Sequence, residues 1–321
     1  MTIKRHALAM LRPGIVRDGE VADPAALTEA LTALFKDHDL PERVRIGVAN
    51  SRIVVRTMDL EPLLDDKALA AAVQAQAADH IPMPMDEAIV DHQRLGVVAT
   101  PDGPRTRVVI VAVRREVVER VAKAAMDAGL SIEGIDLSAF AMVRAVGRAG
   151  GGAQLYLNIA GLTNVAVASE DGVLFARAAS GGLEAMAHTL AERRALTLEH
   201  ARQWMVHVGL ATPVELVEGD PDLVTAVRTV LEDGVHQIAD AVRGSVEYYR
   251  MQEHAAPVEQ GVLTGAAVAI PGFAEALGEQ LHLPLTATVV DVADGGDPIP
   301  ELGRLSVAAG LAVEARNPRL N

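Results

Sequence analysis

Residues that could do chemistry are scattered along this sequence, and the scatter excludes several reaction types. The ten histidines show no HExxH or other metal-ligand spacing. His80 and His92 flank a proline-rich loop and read as helix-end and surface residues rather than as a metal pair. Ser51 and Ser138 have no GxSxG elbow around them, so an activated serine has no support. Asp65 and Asp66 are better explained as helix capping, and Asp86, Glu87 and Asp91 as a solvated loop and strand edge. There is no Walker A run. There is no cysteine, which removes disulfides, thiol catalysis and thiolate metal sites and fits a cytoplasmic location.

The glycine pattern says more. Asn158-Ile159-Ala160-Gly161 ends one strand at a hairpin, where successive backbone N–H groups can curl around a phosphate. Thr264-Gly265-Ala266-Ala267 ends another strand before a helix, where a base or ribose can approach the backbone. Gly181-Gly182 opens a helix between them. Tight strand–helix packing requires the same small residues, so taken alone these segments leave both readings open.

The elements that must position them follow from the pattern. Asp23 before Pro24 opens a helix over 24–38. Residues 44–60 read as two strands around a turn at Asn50-Ser51. A helix over 65–81, with Leu69, Val73, Ala77 and Ile81 on one face, stops at Pro82 and Pro84. Strands over 88–97 and 105–113, a helix over 115–128 ended by Gly129, a strand over 130–135 and a helix over 137–147 follow. Residues 147–152, GRAGGG, read as a joint or as an ordinary surface loop. The second half restarts with strands and a turn at Asp171-Gly172, then helices opened by Gly181-Gly182 and by Thr197. One long helix spans 222–253, with bending expected at Gly234 and Gly244. A strand at 261–265, a further helix, a Gly- and Asp-rich loop at 291–297 and a last helix over 302–315 close the chain.

Composition sets the limits. The chain has 321 residues, half of them hydrophobic, enough for more than one core. Its net charge of −14 argues against nonspecific nucleic-acid binding and against a polybasic membrane surface. Four Phe, three Tyr and one Trp are too few for a base-stacking platform. No apolar run approaches the roughly 20 residues of a membrane helix, and the basic start is broken by Arg12 and Pro13, unlike a signal peptide.

In order along the chain, several segments resemble the PilM family of type IV pilus assembly proteins, which share the actin-like fold of the cell-division protein FtsA. They are LDDKALAAAVQAQAADHIPMPMDEAIVDHQRLG (64–96), VVIVAVRREVVERVAKAAMDAGLSIEGIDLSAFAMVRA (108–145), NIAGLTNVAVASEDG (158–172), SGGLEAMAHTLAERRALTLEHA (180–201), VLTGAAVAIPGFAEAL (262–277) and VAAGLAVEA (307–315). The resemblance implies an α/β, two-lobed actin-like (ribonuclease H-like) fold with an inserted α+β (SHS2-like) subdomain. Residues 1–51 and 136–148 with the closing helix 302–316 would form the first lobe, 52–135 the insert and 149–301 the second lobe.

The resemblance also assigns nucleotide contacts to Asn158, Ala160, Gly161, Gly181, Gly182, Gly265 and Ala266, with ATP and magnesium as the implied cofactor. Three departures argue against it. The family's first phosphate hairpin has no counterpart, the chain starting where a third strand is expected. Asn158-Ile159-Ala160 stands where the family has Asp-Ile-Gly, and a neutral amide is a poorer cation ligand than a carboxylate. Gly265-Ala266 replaces a Gly-Gly pair. A shortened chain and a natural member that no longer uses ATP both remain open. The resemblance thus implies a cytoplasmic scaffold, not an enzyme, gripping the cytoplasmic N-terminal peptide of a PilN-like inner-membrane protein and peripheral to the membrane through that partner. Strands 44–60, helix 65–81 and the IPMPM loop would hold the peptide, with Met83 and Met85 offering adaptable contact or simply fixing the loop to the core. The rival reading is an ATP-binding switch or ATPase of the same superfamily. Residues 7–21 are expected to leave a sheet edge open or covered by another chain.

Overall fold

The fold is described from a computed structural model, which covers residues 2–62, 65–147, 152–252, 255–292 and 302–313. Most of the 147–152 joint, most of the 291–297 loop and the end of the last expected helix lie outside the described residues.

The chain opens with short strands β1 (Thr2–Ile3), β2 (Val16–Arg17) and β3 (Glu20–Val21). Helix α1 (Pro24–Asp37) starts where expected: Asp23 accepts from the Ala26 N–H at 3.0 Å and Pro24 occupies the first turn. Strands β4 (Arg43–Val48) and β5 (Val54–Leu60) come next, then α2 (Asp66–His80), which Asp65 caps through the Ala68 N–H at 3.0 Å. A long hairpin, β6 (Ala88–Thr100) and β7 (Gly103–Arg114), leads into α3 (Arg115–Asp127), β8 (Ser131–Leu137) and α4 (Ser138–Val146).

The second half holds β9 (Gln154–Ile159), β10 (Thr163–Ser169), β11 (Gly172–Ala179), α5 (Leu183–Arg194), α6 (Leu198–Val208) and the long α7 (Pro221–Arg250). Thr197 caps α6 and Asp220 caps α7. Strand β12 (Gly261–Thr264), helix α8 (Phe273–Leu281), strands β13 (Leu285–Ala287) and β14 (Asp291–Val292), a 3₁₀ turn at Leu302–Leu305 and helix α9 (Ser306–Ala312) complete the order.

The largest sheet runs β11-β10-β9-β12-β13. Every residue of β9 is buried, as a central strand covered on both faces requires. Helices α5 to α8 cover one face through Leu183, Leu190, Met205, Leu231 and Phe273. The other face carries α4 and α9 through Phe140, Met142, Leu305 and Ala309, which also pack against Val48 and Leu137 of the parallel pair β4–β8. One apolar core is therefore shared between the five-stranded sheet and the β4–β8 pair.

The two strands expected within 44–60 exist but do not pair with each other. Strand β4 pairs with β8, whereas β5 pairs with β7 in a three-stranded sheet ordered β5-β7-β6. The turn expected at Asn50-Ser51 is a crossing between sheets. It is fixed by Asn50, which donates to Glu20 at 2.6 Å and accepts from the Arg52 N–H at 2.6 Å. Helix α2 covers the three-stranded sheet with the expected Leu69, Val73, Ala77 and Ile81. Arg56 lies over the Tyr248 ring at 4.9 Å and Thr57 reaches Gln252 at 3.4 Å, tying this sheet to the end of α7.

Strands β2 and β3 pair with each other and, among the described residues, with no further strand, and the hairpin packs on α3 through Val21 and Ala124. Gly234 does not simply loosen α7. A Cβ there would collide with Met186, so the glycine lets α5 cross closely.

Helix α9 crosses α4 with equal intimacy: a Cβ on Gly310 would overlap the Ala141 carbonyl. We expect Gly310→Ala to cost about 1–3 kcal/mol in urea unfolding. Gly134→Ala, on β8 with open space around it, should change stability by less than about 0.5 kcal/mol. Equal effects would contradict the close crossing.

Candidate functional site

All seven residues expected at a nucleotide site gather around the adjacent ends of β9 and β12, where Asn158 stands beside Thr264 in register. Several of their backbone groups are engaged by neighbouring residues. The Ala160 N–H donates to the Leu162 carbonyl at 3.1 Å, closing the β9–β10 turn, and the Ala160 carbonyl accepts from the Leu183 N–H at 2.8 Å. Gly182 is required by that contact, because a Cβ on it would strike the Ala160 carbonyl. The Gly181 carbonyl accepts from the Thr163 hydroxyl at 3.0 Å. Gly265, at φ +93°, lies against the Ile159 backbone, and Ala266 is buried in the turn that follows. Gly161 lies beside Glu184.

Glu184 holds this end of α5 in place. It accepts two hydrogen bonds from Arg202 of α6, at 3.1 and 2.6 Å. The paired carboxylate raises the Arg202 pKa above its already high ordinary value. Sequence reasoning missed this pair, since nothing local links residues 184 and 202.

Asn158 is 4% exposed, and its Nδ2 donates to the Ser306 hydroxyl at 3.1 Å. Ser306 in turn donates to the Gly303 carbonyl at 3.0 Å. The Gly303 backbone sits directly on Gly265: a Cβ on Gly303 would overlap the Gly265 carbonyl. Ser306 and Gly303 were also missed, because only the fold brings them to Asn158.

Three of these positions are poorly suited to a magnesium nucleotide. Position 158 carries a neutral amide whose Nδ2 is engaged by Ser306, the Ala160 N–H closes the β9–β10 turn, and residue 303 covers the Gly265 turn, while Gly181 and Gly182 border an open cleft with Thr189, Arg193 and Asp233. Among the described residues no group of three or more His, Asp or Glu is placed to hold a metal ion.

A second feature lies nearby. A cleft lined by Val48, Asn50, Ile53, Val55, Leu137 and Ala176 separates the carboxyl ends of β4 and β8 from β5 and β11. Met83 and Met85 are partly buried and pack against the core that holds Val54, Met58 and Leu69.

Replacing Glu184 by Gln should keep the shape of the α5–α6 contact and lose its charge. We expect about 1–2 kcal/mol of destabilisation in urea unfolding. A change below about 0.3 kcal/mol would show that the pair does not hold this end of the helix.

A solved structure described as a PilM-PilN type IV pilus biogenesis complex matches with a TM-score of 0.74 at 24% identity, over 94% of this chain and 88% of that one. The ethanolamine utilization protein EutJ from Carboxydothermus hydrogenoformans matches with a TM-score of 0.48 at 14% identity, over 93% of this chain and 77% of that one. The fold is the two-lobed actin-like α/β fold. A family model described as type IV pilus assembly protein PilM matches residues 1–296, well over half of the chain. This protein therefore belongs to that family.

Proposed function

We propose that this protein is a cytoplasmic, non-catalytic scaffold of type IV pilus assembly. It binds the cytoplasmic N-terminal peptide of a PilN-like inner-membrane protein and is held at the membrane through that partner. The observation that carries this reading is the family match over residues 1–296. The fold it shares with the PilM protein of a PilM-PilN complex supports it. No helix among the described residues is long and apolar enough to cross a membrane, so attachment through a partner is consistent with the chain.

We divide the chain as the resemblance suggests. Residues 52–135 are an inserted subdomain, residues 1–51 and 136–148 with the closing helix are one lobe, and residues 149–301 are the other. The peptide would lie along the strands of 44–60, over the shallow cleft at Asn50 and Ile53 where β4 crosses to β5. Of the seven nucleotide-type positions, Asn158, Gly182, Gly265 and Ala266 are packed into a joint while Gly161 and Gly181 stay accessible, and nucleotide binding is degenerate.

Calorimetry with the N-terminal peptide of a PilN-like protein from the same genome tests this. We expect saturable one-to-one binding that a scrambled peptide does not reproduce. Ile53→Asp in the cleft wall should weaken it at least about tenfold. Val97→Ser, on the exposed far end of β6, should leave it unchanged. Absence of peptide binding, together with tight binding of a Mg-ATP analogue, would favour an ATP-dependent switch instead.

A further inference from the structure

We propose that this protein is closed by a latch of its own residues, Asn158–Ser306–Gly303 seated on Gly265, at the place where a nucleotide would otherwise bridge the two sides of the fold. The latch makes the closed shape constitutive. It deepens the proposed scaffold reading in one respect only: if the partner peptide binds, it does so without regard to nucleotide.

The latch is built from both ends. On the side of the five-stranded sheet, Asn158 at the end of β9 holds Ser306, and Ser306 holds the Gly303 carbonyl. Asn158 and Ser306 are both buried, so opening here would strand an amide and a hydroxyl away from their partners. Gly303 presses its backbone onto Gly265 and covers the β12 turn.

On the other side, α9 runs from Ser306 onto α4 and β4. The Gly310 carbonyl accepts from Arg144 Nε at 3.1 Å, and Arg144 is itself held by Asp136 at 2.6 Å. Gly47 of β4 leaves just enough room for Leu311. Segment 302–312 thus joins both sides within eleven residues.

A second point of closure lies across the cleft. The β2–β3 turn, with Asp18 at φ +49° and Gly19 at φ +79°, places Gly19 against the Ala49 carbonyl and near Leu162 at the tip of the β9–β10 turn. A ligand shifts a conformational equilibrium only by its difference in affinity between the states. Here residue 303 already covers the Gly265 turn, so a nucleotide that used this turn would have to displace Gly303, while a cleft stays open beside Gly181 and Gly182.

Hydrogen exchange on the whole chain tests the latch without any peptide. In the wild type, Mg-ATP should change neither the exchange of residues 302–312 nor the melting temperature. Ser306→Ala and, independently, Asn158→Ala should raise exchange over 302–312 at least about fivefold while the far-ultraviolet circular dichroism stays unchanged. Mg-ATP slowing exchange in the wild type, or raising its melting temperature by more than about 2 °C, would overturn the proposal. So would unchanged exchange in both variants. The wild-type titration decides even where a variant does not fold. A peptide that fails to bind would sink the scaffold reading and leave the latch standing. A peptide that binds only with Mg-ATP would sink the latch.

Discussion

The structure depends on backbones that approach where no side chain intervenes. Gly303 on Gly265 and Gly310 on Ala141 bring residues 302–312 into contact with the β12 turn and with α4 at once. Each approach excludes even a methyl group. Because packed interiors deform little, that tolerance fixes the position of α9, and α9 fixes the β4–β8 pair against the five-stranded sheet. The Asn158–Ser306 hydrogen bond then selects one geometry from those that apolar packing alone would allow.

The conflict between family resemblance and local chemistry resolves along the same lines. The loops of a nucleotide-binding architecture are present, gathered in one place and well ordered by β9, β12 and α5. What has changed is the use of their polar groups. An amide stands where a carboxylate was expected, and it bonds to a serine of the closing helix instead of facing a cation. The turn glycines serve strand–helix packing, the alternative that the sequence had left open.

What could be read from the sequence was local. Asp23, Asp65 and Thr197 cap the helices expected of them, because a cap acts across three residues. The period of Leu69, Val73, Ala77 and Ile81 identified the buried face of α2 for the same reason. Pairing across sheets could not be read this way. Strands β4 and β5 are neighbours in sequence but part company at Asn50, which takes Glu20 of an earlier hairpin as its partner. Glycine was ambiguous in helices: Gly234 reads as weakness until Met186 is seen to fill the space beside it. The candidate site was legible as a set of loops. Its closure was not, since Ser306 lies 148 residues from Asn158 and carries no motif.

The most direct test of the central claim is a distance across the molecule. The chain has no cysteine, so Met126→Cys on α3 and Leu216→Cys beyond α6, both at exposed positions, give two unique sites for spin labels. A latch built into the fold predicts one narrow distance distribution that Mg-ATP leaves unchanged. A broad distribution that sharpens or shortens on adding Mg-ATP would contradict it.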